Sequence, residues 1–218
     1  MSSDVFVRQS PERKVVMKKN TTYLVELAVL VAIIIVMAFT PIGYIRTLGL
    51  EITLIVVPVV VGAVTLGPMA GFILGAAFGI TSFIQCFGFS AFGATLLSIN
   101  PFFTFLVCVP TRMLMGYLTG IIFKGLRQTK LNKQVSISIS CLAGPLLNTV
   151  LFMSVLCLCF YNTEYIQGFV GQLGASNVLL FIVGFVGING LVEAIACFVA
   201  GTAISIALAA ALKDQLAQ

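Results

Sequence analysis

A chain of 218 residues with 60% apolar and only 9% charged side chains cannot cover itself as a water-soluble globule, whose ordinary charged share is about 25%. It reads as an integral membrane protein, and its net charge of +5 calls for no nucleic-acid partner, since no aromatic residues interleave the basic segments. Histidine is absent, which excludes Ser-His and Cys-His catalytic pairs, imidazole metal sites and histidine proton relays, and tryptophan is absent too.

The apolar runs are continuous rather than alternating, so they predict helices and not barrel strands, each of about 20 residues for a core of about 30 Å. Residues 1–21 are polar and basic and precede a full-length apolar run with no small-residue cleavage site. They read as a cytoplasmic tail rather than a signal peptide. The first span runs from Thr22 to Phe39 and stops at Thr40-Pro41 and Gly43. The second, Glu51 to Leu66, is short, with Pro58 as an expected kink. A Gly67-Pro68 turn leads into the third, Met69 to Phe87, and an uncharged small-residue loop separates it from the fourth, Pro101 to Lys124. The fifth covers Val135 to Phe160. The stretch from Asn177 to Leu212 is too long for one crossing. We read an outer apolar segment, Asn177 to Val186, breaking near Gly184, Gly187 or Gly190 into a sixth span from Ile188 to Leu212. The expected architecture is therefore an all-α membrane domain of six transmembrane helices over residues 22–212, with a cytoplasmic C-terminal tail at 213–218.

Lys and Arg set the orientation. With the N-terminus inside, the inner segments hold Arg8, Arg13, Lys14, Lys18, Lys19, Lys124, Arg127, Lys130, Lys133 and Lys213, whereas the outer loops hold only Arg46. Both termini are thus expected in the cytoplasm.

Several small-residue patterns fall on these spans. Gly67, Gly71, Gly75 and Gly79 recur every four residues and so share one helix face, which reads as a packing stripe. Ala28 and Ala32 make a shorter version on the first span, open to either internal packing or contact with another membrane protein. The six cysteines form no C-x-x-C pair and read as small apolar residues, with no metal site. No G-x-x-x-x-G-K-[ST] loop occurs, so energy for uphill transport has to come from a partner or an ion gradient.

An ionisable group at mid-membrane costs at least about 2.5–3.5 kcal/mol and therefore needs a reason. Arg112 lies eleven residues past Pro101, about 16 Å along its helix. Two readings compete: a brace to Glu193 or to backbone carbonyls, and a contact for an anionic ligand. Glu26 reads as a side chain snorkelling to the inner interface and Glu51 as a carboxylate at a helix N-terminus. Gln85, Asn100, Thr104, Asn148 and Asn189 fall mostly in the outer half. Singly each reads as an interhelical hydrogen bond; as a set they suit a pocket for a small polar organic molecule, with Arg46 either the loop partner of Glu51 or a residue at the mouth.

The order and spacing of Phe39-Thr-Pro-Ile-Gly-Tyr44, Glu51-Ile-Thr-Leu-Ile-Val-Val-Pro58, Val61-Gly-Ala-Val-Thr-Leu-Gly-Pro-Met-Ala-Gly71 and Ile188-Asn-Gly-Leu-Val-Glu-Ala-Ile195 resemble the substrate-binding S components of energy-coupling-factor (ECF) vitamin transporters. The resemblance implies six helices with both ends inside a bacterial cell membrane. It further implies a vitamin held in the outer half under the loop Thr40 to Leu50, and a partner assembly of one transmembrane coupling subunit with two ABC ATPases. Ala28 and Ala32 would be the docking face, and delivery would follow toppling of the loaded subunit. The Phe-Thr-Pro-Ile-Gly and Leu-Gly-Pro-x-Ala-Gly combination is most similar to pantothenate-type members. On this reading the substrate-binding residues are Arg46, Gln85, Asn100, Thr104, Arg112, Asn148, Asn189 and Glu193. The chain is then a transport subunit without cofactor, and not an enzyme: Glu26 and Glu193 lie at different depths and make no acid-base pair. The alternative is a stand-alone secondary transporter or channel for a small polar solute.

Overall fold

The computed structural model describes residues 11–40, 43–46 and 51–217, with the side chains of residues 11–20, 45–46, 51–52, 188 and 212–217 left aside. The elements run α1 (Pro11–Ala38), β1 (Tyr44–Arg46), β2 (Glu51–Thr53), α2 (Val56–Thr65), α3 (Pro68–Gln85), α4 (Ala91–Ile99), α5 (Pro101–Gln128), α6 (Lys133–Phe160), α7 (Glu164–Gln172), α8 (Val178–Ala196), a π-helical turn (Cys197–Gly201) and α9 (Thr202–Ala217). Among the described residues, five helical stretches are long and apolar enough to cross a membrane: Thr21–Ala38, Pro68–Gln85, Pro101–Gln128, Lys133–Phe160 and Asn189–Ala211. The molecule is a multi-pass membrane protein. Its lipid-facing surface is apolar, with Leu24, Val25, Val29, Phe102, Leu158 and Leu179 exposed.

The second predicted span behaves differently from the rest. Only Val56–Thr65 is helical, about 15 Å of rise, and the residues from Val56 to Val64 are buried apart from the half-covered Val57. A helix that is apolar all round belongs inside a bundle, and α2 packs against α1, α3, α5, α6 and α9. The remainder of the expected span, Glu51–Thr53, is extended and pairs antiparallel with Tyr44–Arg46, Tyr44 opposite Thr53. The physical reason is that the Thr53 amide is spent outside any helix, as described below. Pro58 makes no kink, because it sits in the first turn of α2, where a missing N–H costs no intrahelical bond.

Two further expectations are corrected, and a segment that carried none is helical. The loop after α3 contains a helix, α4, started by Ser90, whose hydroxyl accepts the Gly93 amide at 3.3 Å. A second short helix, α7, follows α6, capped by Thr163. The last span does not break at Gly184, Gly187 or Gly190: α8 runs through all three, and the interruption comes later, as the π-helical turn at Cys197–Gly201. None of those glycines would place a Cβ into a backbone or side chain closer than 3.4 Å, so nothing there forces a break. At the other end the first helix begins at Pro11, eleven residues before the predicted start.

The α3–α5 pairing is the tightest in the fold. A Cβ on Gly71 would run into the Gly116 carbonyl, one on Gly75 into the Arg112 carbonyl, and one on Gly79 would lie 2.7 Å from the Val109 Cα. These three glycines let the two backbones touch. Gly67 plays a different part: with φ at +100° it forms the turn before α3 and faces open space.

Candidate binding cavity

One cavity, about 810 Å³ including its mouth, opens between α3, α4, α5, α6, α8 and the hairpin. It lies at the end of the bundle where α1, α3 and α6 finish and α5 and α8 begin, remote from the basic α5–α6 connection with Lys124, Arg127, Lys130 and Lys133. Gln85, Thr104, Arg112, Asn148, Asn189 and Glu193 all line it. Their sequence positions are spread over more than a hundred residues and four helices, and the fold brings them to one space.

Arg112 is the central cation. It is only 6% exposed, and its guanidinium carbon lies over the rings of Phe78 and Phe152, 5.2 and 5.0 Å from the two centroids. Nη1 donates to the carbonyls of Val107 at 2.8 Å and Cys108 at 3.3 Å, and to the Thr111 hydroxyl at 3.4 Å. Nε is buried with no hydrogen-bond partner among the described residues. The carbonyl brace is therefore real, but it occupies one nitrogen of three, and no carboxylate among the described residues reaches the guanidinium.

Glu193, also 6% exposed, is held from a different direction. Its Oε1 accepts the Thr53 amide at 2.8 Å and the Thr53 hydroxyl at 2.5 Å, and Oε2 accepts the Asn148 amide nitrogen at 3.5 Å. Neutral donors carry this carboxylate, not Arg112. The bond ties the hairpin to α8 across 140 residues of sequence and places Tyr44 and Thr53 in the cavity wall. Gln85 is likewise committed: its amide nitrogen donates to the Ala38 carbonyl and staples the end of α3 to the end of α1. Thr104 returns its hydroxyl to the Asn100 carbonyl at 2.9 Å.

Two predicted residues stand elsewhere. Asn100 does not line the cavity; it is the N-cap of α5, its side-chain oxygen accepting the Phe103 amide at 3.1 Å, which is what a short amide before a helix ordinarily does. The Arg46 side chain lies outside the described residues, as does part of the loop Thr40 to Leu50. Ala28 and Ala32 are exposed on α1 and are not among the residues that line the cavity.

Sequence reasoning missed Tyr44, Thr53, Ser82, Cys86, Phe92, Cys108, Thr149 and Phe152 as lining residues. Thr53 carried a weak signal, a hydroxyl between two apolar runs near Glu51. Cys86 and Cys108 carried none, since 22 residues separate thiols that end 3.9 Å apart. Phe92 joins the cavity to an aromatic cluster with Tyr165, Phe169 and Phe185. It sits on a helix that the sequence reading took for a loop.

A sequence model for a family described as "ECF transporter, substrate-specific component" matches residues 22–205 of this chain. No curated protein matches it. The match covers every element that lines the cavity.

Proposed function

The chain belongs to the substrate-specific components of ECF transporters, and from that premise we propose that the cavity around Arg112 and Glu193 is its substrate site and that the substrate is a B vitamin, pantothenate foremost. Proteins of this family are transport subunits rather than catalysts, and they work with a transmembrane coupling subunit and ATPases. The observation that carries the site reading is the meeting of Gln85, Thr104, Arg112, Asn148, Asn189 and Glu193 in one space, with apolar and aromatic residues between them. Small-molecule sites are of this kind, mostly apolar with a few placed polar groups. Pantothenate, a small anion bearing hydroxyl and amide groups, is compatible with that set.

On the same reading the protein resides in a bacterial cell membrane with both termini in the cytoplasm, so the cavity opens outward. The exposed Ala28 and Ala32 of α1 then form the docking face for the coupling subunit, two ABC ATPases drive the cycle, and the loaded subunit topples to deliver its substrate. The bond between Thr53 and Glu193 supports a gating role for the hairpin, which closes one wall of the cavity.

Isothermal titration of the purified protein with each B vitamin tests the reading. Sub-micromolar binding of one vitamin, with its retention in native mass spectra, is the expected result. Failure of every B vitamin to bind at micromolar concentration rejects it. Uptake into liposomes holding this chain alone would favour the stand-alone transporter instead.

A further inference from the structure

Arginine keeps its charge at any physiological pH, so a buried guanidinium has to find partners for its donors. Here the partners are unevenly distributed. Nη1 makes all three of the hydrogen bonds that Arg112 has among the described residues. Nε is buried and unpartnered, and Nη2 has no hydrogen-bond partner there either. In a guanidinium, Nε–H and the adjacent Nη2–H point the same way and form one edge of the fork that receives the two oxygens of a carboxylate or phosphate. The guanidinium carbon also lies over the rings of Phe78 and Phe152, at 5.2 and 5.0 Å from their centroids, so two aromatic side chains restrict its movement. The side chain lines the cavity.

The second half of the pattern is Glu193. Its Oε1 is saturated by Thr53, whereas among the described residues Oε2 has a single long contact, 3.5 Å from Asn148. An under-used carboxylate oxygen beside a cavity is an acceptor for a ligand O–H or N–H.

We propose that the Nε–Nη2 edge of Arg112 is an oxyanion fork and that the cavity selects small organic acids which also carry a hydroxyl or amide donor for Glu193. This rests on the reading of the cavity as the substrate site, and it narrows the ligand class beyond that reading. Organic cations and neutral heteroaromatic molecules bind more weakly, because they leave the buried charge of Arg112 without its counter-group.

Matched acid and neutral pairs test it, using calorimetry on the full-length protein in detergent: pantothenate with pantothenol, nicotinate with nicotinamide, 4-hydroxybutyrate with 4-hydroxybutyramide, and glycerol 3-phosphate with glycerol. Butyrate beside 4-hydroxybutyrate reports on the donor. The wild type should prefer the acid of the best-binding pair by about 100-fold, since two charge-assisted hydrogen bonds separate its members. Arg112→Gln should abolish that preference while leaving affinity for the neutral member in place. Arg112→Lys, which keeps the charge but not the planar edge, should retain only about a tenth of the acid affinity. Binding of the neutral member and an unchanged unfolding temperature show that each variant is folded.

Equal affinity of the wild type for acid and neutral members overturns the fork. So does equal loss of both in folded Arg112→Gln, or the failure of every anion to bind. Binding of butyrate as tightly as 4-hydroxybutyrate overturns the part played by Glu193. If the non-vitamin acids bind with this preference and no vitamin does, the vitamin reading falls while the fork stands. The carboxylate and phosphate arms identify which oxyanion the edge takes.

Discussion

At the scale of single residues the decisive contact is Thr53 on Glu193. A buried carboxylate needs donors, and Thr53 supplies two, from its amide and its hydroxyl. Thr53→Val keeps the side-chain shape and the amide but removes the hydroxyl donor. A hydrogen bond to a charged group contributes roughly 1.5–3 kcal/mol. We expect ligand affinity in this variant to fall about tenfold or more, measured by calorimetry, with the cavity otherwise intact. An unchanged affinity would mean that the hairpin is not held by this bond. Of the polar residues singled out in the sequence, Arg112 and Glu193 were legible because charge within an apolar run always needs explaining. Their partners were not: whether Arg112 meets Glu193 or a carbonyl depends on helix rotation, which spacing alone does not encode. The structure gives Arg112 to its own helix and Glu193 to a strand.

At the scale of elements, packing distances decide more than propensity. The four-residue spacing of glycines is visible in the sequence, but only the fold distinguishes Gly71, Gly75 and Gly79, which touch α5, from Gly67, which forms a turn. Gly75→Ala would push a methyl group into the backbone of Arg112, so α3 and α5 have to separate. Overpacking of this kind costs about 1–3 kcal/mol. Gly125→Ala meets open space and serves as the comparison. Thermal unfolding in detergent should show Gly75→Ala melting several degrees lower, with weakened ligand binding as Arg112 shifts, and Gly125→Ala unchanged. The helices α4 and α7, which lie outside the predicted spans, have nine residues each, too short for a crossing. Such segments escape a reading based on long apolar runs, because a nine-residue helix has little intrinsic stability and forms only where tertiary contacts hold it. Phe92 and Phe169 are those contacts.

For the whole molecule, the question is which surface meets a partner. The first helix buries Leu27, Leu30 and Ile34 against the bundle and leaves Ala28 and Ala32 on the opposite, exposed side. Internal packing therefore does not use those alanines, and we propose above that a coupling subunit does. Ala28→Trp and Ala32→Trp should leave ligand affinity within about twofold, as surface substitutions do. They should abolish ATP-dependent uptake in proteoliposomes that contain the coupling subunit and ATPases. Parallel loss of binding and uptake would assign the face to folding instead.

The sequence by itself determined the membrane environment, the long crossings and the unusual burial of Arg112 and Glu193, because each follows from the cost of placing polar groups in hydrocarbon, which is local to the residue. Tertiary structure alone decided that the second crossing is a three-residue strand followed by a ten-residue buried helix, that the last helix is interrupted by a π turn rather than at Gly184, Gly187 or Gly190, and that six scattered polar side chains share one cavity. Those outcomes depend on which groups satisfy one another across 47 to 140 residues of chain, and that is settled only when the helices have packed.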